Sequence, residues 1–197
     1  MTGKHGRSQI GDARWINCFI IVTYDELKDF LDFKAEQYEH PRFLESDPIQ
    51  LPHRFSKKED IELVGFLVST IAWGNRVSII KSGERLLEIM EQQPHAFIQN
   101  YNSKLLQDSS FVHRTFNSID LDFYFRSLQH IYKDGCLETA FQKHTTIEGV
   151  KGRIVSFRTK FMEVDHLDRS HKHLSNPEKN SAAKRLNMFN RVISVVN

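Results

Sequence analysis

Ser56-Lys-Lys-Glu-Asp-Ile-Glu-Leu-Val-Gly-Phe-Leu-Val-Ser-Thr-Ile71 is the most apolar run of the chain, and its reading decides the fold. Ser56 and Glu59 have the spacing of a capping box, in which a hydroxyl and a carboxylate each satisfy an amide at a helix start. Behind them Ile61, Val64, Leu67, Val68 and Ile71 recur at i, i+3, i+4 intervals, which predicts a helix buried in the core. It ends before Trp73-Gly74.

The same period of 3.6 continues on both sides. Thr23-Tyr-Asp-Glu26 is a second capping box, opening a helix with Leu27, Phe30, Leu31, Lys34 and Tyr38 on one stripe until His40-Pro41, where the proline disfavours further helix. Asn75 can cap a helix carrying Val77, Ile80, Leu87 and Met90 up to Pro94. A short segment near Phe97 to Tyr101 follows. Asn117 or Ser118 starts a helix with Leu121, Tyr124, Phe125, Leu128 and Ile131, ended by Gly135. Thr145-Thr-Ile-Glu148 reads as a third capping box before Ile147, Val150, Ile154, Phe157 and Phe161. The polar loop Asp165 to Asn180 leads into a last helix headed by Ser181, with Leu186, Phe189, Val192, Ile193 and Val196 still on stripe at Asn197. Strand-like alternation of period two is never sustained. The expected fold is all-α, an irregular multi-helix bundle, with residues 24–197 as one helical domain incomplete at its C-terminal end and 1–23 as an N-terminal extension.

Within 197 residues, 40% apolar, 26% charged and with a net charge of +2, a core fits and a charged disordered tail does not. Cys18 and Cys136 form no CxxC pair and no disulfide framework, so reduced thiols and a cytoplasmic location are expected. The run Trp15 to Val22 superficially has the look of a signal peptide, but it is too short to span a bilayer and no small-residue cleavage site follows. No membrane association is expected. Charge is unevenly distributed: from Lys143 onward eleven Lys/Arg face five Asp/Glu, a net of +6 against −4 for the first 142 residues. The basic end is the place to look for anionic partners.

Dinucleotide, P-loop, zincin and hydrolase-elbow motifs are absent from the sequence, and no cofactor is expected. His166, His171 and His173, with Asp165 and Asp168, supply metal-ligand atoms at an H-x4-H-x-H spacing without a helical scaffold; no metal is expected there, and phosphate contact or solvation are the alternatives. Two basic-aromatic clusters repeat, Pro52-His53-Arg54-Phe55 and His113-Arg114-Thr115-Phe116, each just before a helix. An Arg fork beside a helix start suits a phosphate and an adjacent ring suits a base. Alternatively, the Arg bridges loop carbonyls while the Phe packs. Lys184 is the sharpest feature. In the first turn of the last helix, next to Arg185, its ammonium form meets the positive end of the helix dipole. A partly neutral amine is what attack at a sugar carbon requires; the alternative is a lysine snorkelling along a basic helix.

Asp47-Pro-Ile-x-x-Pro-His-Arg-Phe-Ser-Lys-Lys-Glu-Asp-Ile-Glu62, Ile71-Ala-Trp-Gly-Asn-Arg76, Phe111-Val-His-Arg-Thr-Phe-Asn117 and Ser181-Ala-Ala-Lys-Arg-Leu-Asn-Met-Phe189 resemble the bacterial family called domain of unknown function 2400, over residues 24–189. Asn180 stands where the family pattern has Gly. More remotely the pattern is similar to helix-hairpin-helix DNA glycosylases of the archaeal 8-oxoguanine type, although the hairpin glycines are absent. That similarity implies duplex DNA as partner. It implies a damaged purine flipped toward Trp73, Gly74, Asn75 and Arg76, and phosphates held by His53, Arg54, His113, Arg114, His173, Ser181 and Arg185. Lys184 becomes the Schiff-base nucleophile of an N-glycosylase/lyase in full-length relatives, with Phe189 as the apolar residue that follows it. The aspartate expected downstream would lie past Asn197, so this chain is expected to be inactive or nearly so. A non-catalytic helical module binding nucleic acid or a protein partner is the alternative.

Overall fold

Asn75, Asn117 and Thr23 each sit where a helix begins, and in the computed structural model each caps one. The structure describes residues 22–39, 42–142 and 146–196. Two units divide the chain, 1–40 and 41–197. The first contains α1 (Tyr24–Glu39), whose Thr23–Glu26 box is formed: Glu26 N–H donates to Thr23 Oγ1 at 3.2 Å, and Thr23 N–H donates to the Glu26 carboxylate at 2.9 Å. Leu27, Phe30, Leu31, Phe33 and Tyr38 on this helix are exposed. The expected stop at His40-Pro41, the Trp15–Ile21 part of the signal-like run and the Thr145 half of the third box lie outside the described residues.

The second unit is all helix apart from a small ribbon. Its elements are α2 (Arg42–Ser46), α3 (Lys58–Thr70), α4 (Arg76–Ile89), α5 (Pro94–Gln99), α6 (Ser118–Asp134), α7 (Leu137–Ala140), α8 (Gly149–Phe161) and α9 (Lys184–Val196). Strands β1 (Val112–His113) and β2 (Phe116–Asn117) pair antiparallel, Val112 opposite Asn117 and His113 opposite Phe116. Short 3-10 turns cover Pro48–Gln50, Pro52–Arg54, Ser103–Leu106, Asp168–Lys172 and Pro177–Lys179. Among the described residues no helix is long and apolar enough to cross a membrane.

Helix α3 is buried on all faces from Glu62 to Thr70, which is the pattern of a helix wrapped by others rather than laid on a surface. Helices α4, α5, α7 and α9 all touch it. Phe66 is its centre: the rings of Phe157, Phe161, Phe189 and Tyr124 lie 5.3, 5.5, 5.5 and 5.8 Å from it, mostly tilted or edge-on, as ring quadrupoles prefer. Phe141 stacks on Phe157 at 4.1 Å. Val64, Leu67, Val68 and Ile71 are in this core, as their spacing predicts, whereas Ile61 is only half-buried.

Three local expectations are corrected. Helix α3 begins at Lys58 with an extended Lys57 before it. The shift leaves Ser56 outside the cap and places Asp60 rather than Glu59 third in the helix, where its carboxylate accepts from the His95 amide at 2.8 Å. Helix α8 begins at Gly149, whose φ of +70° breaks the run, so Glu148 precedes the helix rather than standing in its first turn. On α4, Val77 is 73% exposed; the core stripe is Ile79, Gly83, Leu86, Leu87 and Met90, and two residues along a helix is roughly the opposite face. Val150 on α8 is likewise exposed. Val192, Ile193 and Val196 fall on side chains outside the described ones. Asn180 has φ +60°, left-handed backbone for which Gly is the easiest occupant and Asn the next, which accounts for the departure from the family pattern.

Gly83 is where α4 meets the chain before α3: a Cβ there would run into Leu51 Cδ1, itself fully buried, with Val68 Cγ2 at 3.5 Å behind it. Gly83→Ala gains about 1 kcal/mol of helix propensity and loses about 1–3 kcal/mol to overpacking. Thermal unfolding of G83A is expected at a lower Tm than wild type; a raised Tm contradicts the packing described here.

Candidate functional site

The turn after α3 is where segments far apart in sequence converge. Ile71 N–H still bonds back into α3, to Leu67 C=O at 3.2 Å. Trp73 and Gly74 then leave the helix, and Asn75 Oδ1 accepts from Val77 N–H at 2.8 Å to start α4. Gly74 has φ +105°, and a Cβ on it would overlap the guanidinium of Arg114. The backbone angle therefore needs glycine at this position, and the exposed Arg114 side chain rests in the space that a Cβ would take.

Arg185, second residue of α9, closes the other side. Its Nη1 donates to the Thr70 carbonyl and its Nη2 to the His173 carbonyl at 3.4 Å. The guanidinium lies 4.9 Å from the Trp73 ring centroid. Thr70 is the last residue of α3, where unpaired carbonyls and the negative end of the dipole favour a cation. Burial lowers the pKa of Arg185 from its ordinary value, and an arginine remains charged under such a shift. Arg185 is thus disfavoured by the dipole of its own helix and favoured by that of α3. Lys184, its neighbour, is exposed, and among the described residues it has no hydrogen-bond or ion-pair partner.

Two buried histidines complete the walls. His113 is 4% exposed. Its Nδ1 is 2.8 Å from Ser82 Oγ and its Nε2 3.4 Å from the Trp73 carbonyl, which fits a neutral ring donating from Nε2 and accepting from the serine hydroxyl. Its edge meets Trp73 at 5.1 Å. His173 lies 6.1 Å from Trp73, nearly parallel. Its Nε2 stands 3.4 Å from Asp120 Oδ2 without closing a hydrogen bond. Burial lowers both pKa values from the ordinary 6.5. The Trp73 carbonyl opposes the shift at His113 and the Asp120 charge opposes it at His173; Arg114 reinforces the first, and Lys172, Arg185 and Arg169 the second.

Asp120 is fully buried and takes hydrogen bonds from Asn117 N–H at 3.1 Å, Arg169 Nη2 at 2.9 Å and Ser170 Oγ at 3.4 Å. It belongs to the α6 capping box and to the site at once. Arg169 also reaches the Thr115 carbonyl at 3.1 Å, anchoring the β1–β2 turn.

The expected residues are therefore partly assembled. Trp73, Gly74, His113, Arg114, His173 and Arg185 meet around one turn. Asn75 and Arg76 are exposed at its far end, where Arg76 lies over the Phe43 ring at 5.1 Å and 3.7 Å from the Asp47 carboxylate. Ser181 precedes α9, accepting from Ala183 N–H at 3.2 Å. His53 is exposed; Arg54 makes a two-pronged pair with Glu84 at 2.9 and 2.5 Å, so its fork is occupied. His113, His173 and Arg185 face inward and hold the turn. Asp120 and Arg169 were missed as site residues: the Asn117-x-x-Asp120 spacing announces a cap, and nothing in the loop marks Arg169. In the same loop His166 and His171 place their Nε2 atoms 3.2 Å apart, with Arg158 on His171 Nδ1 at 3.1 Å.

Because the folded-state pKa values of His113 and His173 lie below their unfolded ones, the unfolded chain binds more protons between the two. Stability is then full above pH 6.5 and is lost as pH falls below that value through the lowered folded-state pKa values. Denaturant unfolding across this window is expected to show a shallower loss for the His113→Gln, His173→Gln double variant than for wild type; equal slopes contradict buried neutral rings.

Compared with known proteins, residues 47–193 match the family model described as Protein of unknown function (DUF2400). No curated protein and no solved structure matches the chain.

Proposed function

We propose, for a chain that belongs to the family described as protein of unknown function (DUF2400), that it binds nucleic acid of the kind handled by DNA N-glycosylase/lyases, with Lys184 as the nucleophile in full-length relatives. The observation that carries the reading is Lys184 itself. It is an exposed cation in a first turn that disfavours it, next in sequence to Arg185, whose bonds tie the start of α9 to the Trp73 turn. Local stability gives no reason for a lysine there, and an anion does.

In this reading Arg114, Arg76 and Lys184 contact phosphates, and the half-buried Arg185 with the buried His113 and His173 keeps the turn rigid beneath them. Lys184 Nζ attacks C1′ of a damaged nucleotide. The new C–N bond replaces the glycosidic bond and the base leaves with a proton; the C1′–O4′ bond then opens, O4′ takes the proton of the amine, and the resulting Schiff base permits strand cleavage by β-elimination. A specific observation favours binding without chemistry as the second reading: Asp120, the buried carboxylate of this face, is committed to Asn117, Arg169 and Ser170, although an acid is needed to stabilise charge developing on the sugar.

Fluorescence anisotropy with a duplex oligonucleotide separates the outcomes. With three phosphate contacts, log K falls against log salt at a slope of about −2.7, and R114A reduces the slope by about 1. Lys184→Arg keeps the charge and removes the nucleophile, so it binds like wild type, and a full-length relative carrying the equivalent substitution is not trapped by borohydride on an abasic duplex. Trapping that survives K184R overturns the lyase assignment, and salt-independent binding overturns the phosphate contacts.

A further inference from the structure

A second cluster lies at the other end of α3. Glu62, on the first turns of α3, is 2% exposed. Its Oε2 accepts from Tyr132 Oη at 2.9 Å, while Oε1 is buried with no hydrogen-bond partner. A carboxylate oxygen stripped of water that closes no hydrogen bond of good geometry costs about 1–3 kcal/mol, and the Leu137 amide offsets only part of this without closing such a bond, so the position favours an electrophile. Burial raises the pKa of this carboxyl, opposed by the Tyr132 hydroxyl, Lys58 and the Leu137 amide.

Two further donor atoms share the place. Cys136 is a free thiol between α6 and α7, held by Cys136 N–H donating to Thr139 Oγ1 at 2.9 Å. Glu138 is in the first turn of α7. One ligand atom each from Glu62, Cys136 and Glu138 lies within 4.8 Å of the others, the group among the described residues with that property. Ligand atoms around a tetrahedral zinc with bonds of about 2.0–2.3 Å stand about 3.3–3.8 Å apart, so closure requires no pair to contract by more than about 1.5 Å, within reach of side-chain rotation. Lys58 now pairs with Glu138; both side chains are partly exposed, at 39% and 44%, so the ammonium can turn outward when a cation takes its place. Cys136 also lines a cavity of about 170 Å³ with Asp134, Thr139 and Ser156, a route by which an ion reaches the thiol.

We propose that Glu62, Cys136 and Glu138 bind a thiolate-tolerant divalent cation of the zinc class, with water as fourth ligand, joining α3 to the α6–α7 corner. Hard cations such as Mg²⁺ are disfavoured by the sulfur ligand, whereas Zn²⁺ and Co²⁺ accept mixed sulfur and oxygen sets. Binding replaces the thiol proton by the metal and neutralises the buried carboxylate, so it releases protons and is weakened in acid. The site is independent of the proposed nucleic-acid face.

The test is a titration of the chelator-treated chain with Co²⁺, read by the thiolate-to-metal absorption band, and with Zn²⁺ by calorimetry. One site per chain with a thiolate band is expected. Cys136→Ser is expected to abolish the band and Cys18→Ser to leave it. Glu138→Gln and Glu62→Gln are expected to weaken Zn²⁺ binding at least tenfold with circular dichroism unchanged, and His166→Asn with His171→Asn to leave it intact. Should E62Q fail to fold, C136S and E138Q decide the matter alone. Absence of saturable binding, a band that survives C136S, or loss of binding in the histidine variant overturns the proposal.

Discussion

Everything in the second unit follows from burying one helix on all its faces. A helix laid on a surface needs one apolar stripe; α3 carries apolar or small residues around nearly its whole circumference from Leu63 to Ser69, and so must be surrounded. Helices α4, α5, α7 and α9 supply the walls, and Phe66 gathers rings from α6, α8 and α9. Deleting a ring of that kind costs about 3–5 kcal/mol, a large share of the stability of a domain this size. The two polar ends of the same helix are where the chemistry collects. At the N-terminal end a buried Glu62 retains an unsatisfied oxygen. At the C-terminal end the Thr70 carbonyl receives Arg185.

That second contact joins stability to function. Arg185 and Lys184 are adjacent cations at the start of one helix, and the dipole of α9 acts against both. Arg185 is compensated by the carbonyl end of α3 and the face of Trp73. Lys184 has no such compensation among the described residues. The helix that buries Phe189 against the core is therefore also the one that carries an exposed lysine in its first turn.

How much of this the sequence discloses depends on whether the governing interaction is local. The Thr23, Asn75 and Asn117 caps are legible because the acceptor and its amides lie within three residues. The Ser56 box has the same spacing and does not form, since the helix starts two residues after Ser56, at Lys58, and the third helical residue is then Asp60, bonded to the His95 amide across 35 residues. Val77 fits a stripe drawn with loose spacing, yet neighbours on the far side of α4 decide which stripe is buried. At the site, Trp73, Arg114 and Arg185 are visible as residue types, and Gly74 as a turn. That Arg185 points inward while Arg114 lies on Gly74 depends on pairings across 115 and 40 residues, and no pattern within a segment encodes them. Asp120 shows the overlap most plainly: its cap is readable and its bond to Arg169 is not.

The most direct measurement is NMR of the reductively ¹³C-methylated chain, which keeps each lysine charged, with the Lys184 resonance assigned by its loss in K184R. On addition of a duplex oligonucleotide at low salt the account predicts that the Lys184 signal shifts first and furthest among the lysines, and returns as salt is raised. A Lys184 signal that stays put while other lysines shift contradicts it.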